Sequence, residues 1–292
     1  MGIGINELNL LIYIKNKKQL GNVLTIGRQE IHLEESRVVS TLKKILKGNP
    51  YIHNQYCEDM LRNNFGAISV ESIDNSNYEN ATHVFDLNKI IDNKLLKEYD
   101  TIIDFGCTEH IYNISNALEN ITNFCKIEGQ ILHIVPANNM CGHGFWQFSP
   151  ELFLSLYSIK NGYKKTEIYL NDDSNFKIWY KIKEPEKGKR INIKSTTKSN
   201  LYIIVKTIKS AKTITDKNIQ QSDYVELWKK IKPDEINNKK YKTLKEYIKK
   251  SKYMYFILKP IYTYINELLN NNNKLSSKNI NLIKINVNKL LE

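Results

Sequence analysis

Along the first 210 positions, short apolar runs alternate with segments of helical spacing. Residues 8–20 read as a short helix. Asn22-Val-Leu-Thr-Ile-Gly27 follows, an apolar run ending in glycine, which predicts a buried strand entering a loop. From Glu34 to Leu46 the apolar positions Val38, Val39, Leu42, Ile45 and Leu46 recur at helical spacing until Gly48-Asn49-Pro50 stops them. A second helix is expected from Tyr56 to Asn63, and a second strand over Ala67–Val70. Thr82–Phe85 and Tyr99–Asp104 read as the third and fourth strands. Ile114–Cys125 reads as a helix, and Gly129 opens a fifth strand over Gln130–Val135. Ser149-Pro150-Glu151 has the chemistry of a helix start: serine caps, proline suits the first position and glutamate suits the dipole. That helix should end near Asn161-Gly162. Thr166–Leu170 and Leu201–Thr207 complete the sheet, and residues 181–198 read as a loop.

This alternation argues for an α/β fold with helices on both faces of a mostly parallel, seven-stranded sheet. Beyond residue 209 the chain looks helical, polar and aromatic, with Lys259-Pro260 kinking or dividing one helix. The expected organisation is therefore a domain over residues 1–208 and a Lys/Asn-rich helical extension over 209–292. Composition agrees with a sizeable core, since 41% of the 292 residues are hydrophobic. No membrane span is expected, because runs such as Tyr253–Leu258 are far shorter than the roughly 20 residues needed. The opening Met-Gly-Ile-Gly-Ile-Asn has no basic region ahead of an apolar one, so no leader is expected. Cys57, Cys107, Cys125 and Cys141 show no CxxC spacing and read as free thiols in a reducing compartment, which implies a cytoplasmic protein. The net charge of +12 is uneven: residues 1–180 hold 17 basic and 21 acidic side chains, residues 181–292 hold 26 and 10. A basic tail suits an anionic partner, but a chain crowded with Lys, Asn and Ile also produces it by composition alone.

In open parallel sheets, ligands lie beyond the carboxyl ends of the strands at the switch point of strand order. The residues there are Gly27-Arg-Gln-Glu30, Ser72-Ile-Asp74, Asp86-Leu-Asn88, Gly106–His110 and Pro136–Pro150. Gly27 permits a turn close to a ligand. Asp74 suits ribose hydroxyls and equally suits a turn with Asn75-Ser76, while Asp86 suits an adenine amino group and equally suits a helix cap.

Taken together, these segments resemble the class I S-adenosylmethionine-dependent methyltransferases over about residues 20–207. Asn22–Gln29 sits where their motif I sits, and Ser72-Ile-Asp74 matches the acidic end of strand two. Val84-Phe-Asp-Leu-Asn88 matches the acid after strand three, and Tyr99–His110 matches motif IV with its trailing Glu-His. Gly129–Val135 matches the turn into strand five and the strand itself. Gly142-His-Gly-Phe-Trp-Gln-Phe-Ser-Pro-Glu-Leu-Phe153 resembles a subgroup found among bacterial surface-polysaccharide genes. Where the superfamily has an acid and then Gly-x-Gly, this chain has Thr25 in the acid's place and Gln29 in the second glycine's.

The resemblance implies S-adenosylmethionine held by Gly27, Arg28, Gln29, Asp74, Asp86, Leu87 and Gly106, with more weight on the two aspartates than is usual. It implies methyl transfer to a hydroxyl on a small saccharide or nucleotide-linked precursor, with the acceptor among loops 106–110 and 136–150. A hydroxyl acceptor must lose its proton, and imidazole is suited to take it. His143, between Gly142 and Gly144, is the expected base, with a loop-ordering role as its alternative. His110 is a second base, a helix-start residue, or part of a carboxylate–imidazole metal site with Glu109. Divalent metal use stays open, but one Glu-His pair is a thin ligand set, so no metal site is assigned. Two other readings are an RNA-directed methyltransferase using the basic tail and a non-catalytic interaction protein. Arg190 as the tail's sole arginine, with no RNA-binding module in view, speaks against the first.

Overall fold

In a computed structural model of the protein, the described residues are 2–33, 43, 55–92, 97–186, 189–194, 197–211, 219–230, 256, 259–261 and 273–291. The helix expected over Glu34–Leu46 lies outside them apart from Lys43, as does most of the helical segment expected after residue 209. The chain begins with β1 (Gly2–Ile3) and α1 (Ile5–Lys15), followed by β2 (Gly21–Ile26), β3 (Glu30–Ile31), α2 (Glu58–Phe65) and β4 (Ala67–Asp74). Next come β5 (His83–Val84), β6 (Tyr99–Phe105), α3 (Ile114–Phe124), β7 (Cys125–Asn138) and α4 (Pro150–Leu156). β8 (Tyr163–Asp172), β9 (Ile178–Ile182), β10 (Leu201–Lys209), α5 (Ser222–Lys230), β11 (Leu282–Asn286) and α6 (Val287–Leu291) complete the series.

The main sheet has nine strands in the order β11-β9-β8-β10-β7-β6-β2-β4-β5. β7, β6, β2, β4 and β5 pair in parallel. β10 runs antiparallel to both β7 and β8, and β9 antiparallel to β8. The expected sheet of seven mostly parallel strands is therefore corrected to a mixed sheet of nine. The seven expected strands lie side by side within it, and β9 and β11 add to one edge. β9 falls partly within the Lys-rich stretch read as loop, and β11 falls within the segment read as helical; both are short, with polar residues among the apolar ones.

β6 and β7 are buried over most of their length, and their apolar stretches, Ile102-Ile103 and Ile131–Val135, are interrupted or flanked by the buried polar residues Thr101, Asp104, Gln130 and His133. α1 is buried on nearly every side, through Leu8, Leu10, Leu11, Ile12, Tyr13 and Ile14. It starts three residues earlier than expected because the Gly4 N–H donates to the Glu7 carboxylate at 2.9 Å. The expected helix start at Ser149 is present, with Ser149 Oγ accepting from the Glu151 N–H.

By contacts the chain divides into two units. The first comprises Met1–Ile182, Thr197–Ile219 and Lys284–Glu292, so the last residues, expected in the extension, belong with the sheet domain. Its core joins α1 to Val23, Ile103, Leu132, Ile134, Trp179 and Ile204. The second comprises Lys183–Thr196 and Gln220–Ile283. In it, Arg190 pairs with Asp223 of α5 at 3.0 Å, and Tyr224 stacks on Trp228. Among the described residues, no helix is long and apolar enough to cross a membrane.

Candidate active site

From β2 the chain moves outward through β4 to β5 and then returns to β6 on the other side of β2. This reversal places the switch-point crevice at the carboxyl ends of β2 and β6. Both strands end in a left-handed glycine: Gly27 has φ of 70° and Gly106 has φ of 80°.

Beyond Gly106 the chain makes a short 3-10 turn, Thr108–His110, fastened from below by Asp104. Asp104 is fully buried. Its Oδ1 accepts from the Cys107 and Thr108 N–H groups at 3.2 Å, and its Oδ2 accepts from Thr108 Oγ1 at 2.7 Å. The same Oδ2 lies 2.7 Å from His133 Nδ1, whose Nε2 is 2.6 Å from the Tyr157 hydroxyl. The turn therefore stands on a buried polar network with no slack at Asp104.

The loop carrying His143 is stapled onto this turn. The Glu109 carbonyl accepts from the Phe145 N–H at 2.7 Å and the Trp146 N–H at 3.2 Å, and Trp146 Nε1 donates to the Ile111 carbonyl at 2.9 Å. Gly144 makes the contact possible: its φ is 68°, and a Cβ there would stand 2.7 Å from the Glu109 carbonyl oxygen. As a result His143 Nε2 lies 3.4 Å, and His110 Nε2 4.0 Å, from Glu109 Oε1. The two imidazoles meet edge to face with ring centres 4.8 Å apart. Glu109 is 1% exposed, and its Oε2 has no hydrogen-bond partner among the described residues. Burial, reinforced by the nearby Asp104 charge, raises the Glu109 carboxyl to about 8. Burial and the neighbouring His143 lower the His110 imidazole.

A cavity of about 300 Å³ opens above these groups, lined by Gly106, Glu109, His110 and His143 and closed on another side by Gly2–Glu7. Burial raises Glu7 to about 7, although hydrogen bonds from its own backbone and from Gly4 oppose the rise. Two carboxyls with raised pKa values thus share one cavity, an arrangement associated with functional sites. Sequence reading missed Glu7, Asp173 and Tyr202 as lining residues. Glu7 did carry a signal, since Gly4 and Glu7 have capping-box spacing, whereas Asp173 and Tyr202 arrive only through the sheet order.

The residues expected to hold a cofactor are spread more widely. Of them, only Gly106 lines the cavity. Asp74 Oδ1 accepts from the Ser76 N–H, and Asp86 Oδ1 accepts from Asn88, so each aspartate closes its own turn with one oxygen. Leu87 is buried. Arg28 pairs with Glu58 at 2.7 Å, donates to the Glu79 carbonyl and lies over the Tyr56 ring. Gln29 is fully buried, its amide nitrogen turned back on the Ile26 carbonyl at 2.8 Å.

No protein-family model matches the chain, and no curated protein matches it. Several solved structures are similar to it. One is the N-methyltransferase NodS of Bradyrhizobium japonicum in complex with S-adenosyl-L-homocysteine, at 9% identity, covering 70% of this chain and 85% of that one with a TM-score of 0.37. Another is the 1,6-didemethyltoxoflavin-N1-methyltransferase of Burkholderia thailandensis, at 9% identity over 71% and 78% of the two chains, with a TM-score of 0.36. A third is an O-methyltransferase from a trans-AT PKS multienzyme of Brevibacillus brevis, at 12% identity over 76% and 78%, with a TM-score of 0.36.

Proposed function

We propose that this protein is an S-adenosylmethionine-dependent methyltransferase acting on a hydroxyl of a small saccharide or nucleotide-linked precursor of a surface polysaccharide. The observation that carries this reading is the placement of Glu109, His110 and His143 around one cavity at the carboxyl end of β6, beside the switch point. The motif resemblance supports it at Gly27, Asp74, Asp86 and Gly106.

These residues fit the cofactor in kind. Gly27 and Gly106 keep side chains out of the crevice between β2 and β6. Asp74 closes its turn through Oδ1, which leaves Oδ2 for a ribose hydroxyl; Asp86 accepts from Asn88 through Oδ1 and meets Lys89 through Oδ2 at 3.8 Å, so it would reach the base only by sharing Oδ2. Arg28 and Gln29 act from behind, holding the loop rather than facing a ligand. S-adenosylmethionine supplies, when bound, a methyl group on a positively charged sulfur. The protein's part is to fix the acceptor oxygen in line, to exclude water and to receive the proton. The His143 imidazole is the receiving group in this reading, and Glu109, whose Oε1 lies 3.4 Å from its Nε2, orients the ring.

Calorimetric titration with S-adenosylmethionine, followed by S-adenosylhomocysteine release with a panel of nucleotide-linked sugars, tests the proposal. Binding with turnover on a hydroxyl acceptor is the expected result. His143→Ala should keep cofactor affinity and lose turnover by about 10²–10⁴-fold. Absence of cofactor binding would leave the non-catalytic reading in its place, and turnover on RNA alone would overturn the substrate class.

A further inference from the structure

We propose that Glu109, His110 and His143 form a binding site for a first-row divalent transition-metal ion. Its binding stands on the geometry of the cluster alone; only its role in catalysis rests on the proposed methyl transfer at the same site.

Each of the three residues offers one ligand atom, and these atoms all lie within 4.8 Å of one another. The shortest separation, His143 Nε2 to Glu109 Oε1, is 3.4 Å. Ligands about 2.0–2.2 Å from a tetrahedral metal stand roughly 3.3–3.5 Å apart, so that edge is already at metal-site spacing. The other two close by a rotation of the imidazoles, whose side chains are 44% and 46% exposed. Glu109 is the fixed member. It is 1% exposed, and the docked 145–146 backbone holds its carbonyl.

A second observation points to a ligand. Glu109 Oε2 is buried without a hydrogen-bond partner among the described residues. A buried carboxyl oxygen in that state costs free energy unless something completes it, and a cation shared by both oxygens of Glu109 would do so.

Two imidazoles and one carboxylate are the donor set of open divalent sites, with three protein ligands and the remaining positions turned to the cavity. Mixed N/O donors favour zinc, iron, cobalt or manganese over magnesium and calcium, which take oxygen almost alone. An acceptor hydroxyl bound at an open position would lose its proton more readily, because the cation stabilises the alkoxide. With a cation bound, the proton would leave to solvent or to Glu7 across the cavity while the His143 imidazole holds the cation; without one, His143 receives the proton as above.

The test is titration of the full chain with Co²⁺, read by visible d–d absorption, with Zn²⁺ as competitor. The expected result is one Co²⁺ per chain, displaced by Zn²⁺. Glu109→Gln, His110→Asn and His143→Asn should each weaken binding by about 10–100-fold or more. His83→Gln, which removes an exposed imidazole paired with Glu71 away from the cavity, should bind like the parent chain. Circular dichroism identifies any variant that fails to fold; the two histidine variants change half-exposed side chains and keep the test alive should Glu109→Gln be lost. No bound Co²⁺ in the parent chain, or equal binding by all four variants, would overturn the site. A chain that binds Co²⁺ but not S-adenosylmethionine would keep the metal site and remove the methyltransferase reading.

Discussion

Asp104 is the residue on which the candidate site stands, so its removal gives the sharpest energetic test of the geometry. In the Ala variant the Cys107 and Thr108 N–H groups, the Thr108 hydroxyl and His133 Nδ1 all lose their partner at once. Each buried polar group left unmatched costs about 1–3 kcal/mol, and neighbours in one network do not add. Leaving several buried donors of one network unmatched at once puts the expected loss for Asp104→Ala at about 3–5 kcal/mol. Asp104→Asn keeps Oδ1 as an acceptor for both backbone groups. It turns an amide toward Thr108 Oγ1 and His133 Nδ1, both of which can accept, so its expected cost is about 1–2 kcal/mol. Urea unfolding followed by far-UV circular dichroism measures both, with the m-value checked for constancy. A domain of this kind holds roughly 5–15 kcal/mol, so the Ala variant should be folded but fragile. If Asp104→Ala costs under about 1 kcal/mol, or the two variants cost the same, the network does not hold the 108–110 turn and the account of the site fails.

Gly144→Ala must give its residue a left-handed backbone and move the Glu109 carbonyl, whereas a Cβ at Gly142 meets nothing within 4 Å. Gly144→Ala should therefore lose at least about 1–2 kcal/mol and weaken Co²⁺ binding, while Gly142→Ala does neither; equal effects in calorimetry would refute this. Asp74→Ala should weaken S-adenosylmethionine binding by roughly 1–3 kcal/mol, and unchanged titration isotherms for it and for Asp86→Ala would remove both from the cofactor site. Glu167 tests pH linkage: burial would raise its carboxyl, but Lys181, Lys206 and Tyr13 hold it down to about 2, from an ordinary 4.5. Its stabilisation is present above pH 4.5 and disappears as pH falls toward 2, so Glu167→Gln should narrow the difference in urea midpoint between pH 6 and pH 3.

The central strands were legible because burial on both faces leaves largely apolar runs, as in Val23–Ile26 and Ile131–Val135. Boundaries were less so. α3 runs straight into β7 at Cys125, ahead of Gly129, and the strand absorbs the junction through Glu128 at φ 65°. β9 escaped notice because Ile178-Trp-Tyr-Lys-Ile182 gives only five residues before the Lys-rich stretch, and β11 because Leu282-Ile-Lys-Ile-Asn286 shows only a short alternation. Within the site, the Glu109-His110 pair and the Gly-flanked His143 were visible as separate features. Their meeting was not, because it depends on hydrogen bonds from Phe145 and Trp146 to one carbonyl 36 and 37 positions earlier in the chain. Gln29 misled in the other direction, since its place after β2 suggested a ligand contact while its amide is folded back onto Ile26.

Asp104 and Glu109 sit five positions apart, both buried, and the fold treats them oppositely. Asp104 receives donors on both oxygens and is thereby a structural anion at little net cost. Glu109 has half-exposed imidazoles 3.4 and 4.0 Å from Oε1 and, among the described residues, no partner on Oε2. Stability alone would favour an apolar side chain at position 109, since an unmatched buried carboxyl is a cost without a return in packing. The cost falls on the one acid that lines a cavity and meets two imidazoles, which is where a bound cation or a proton in transit would offset it. The asymmetry between these two acids, more than the presence of histidine, is what supports placing the proposed chemistry at the carboxyl end of β6.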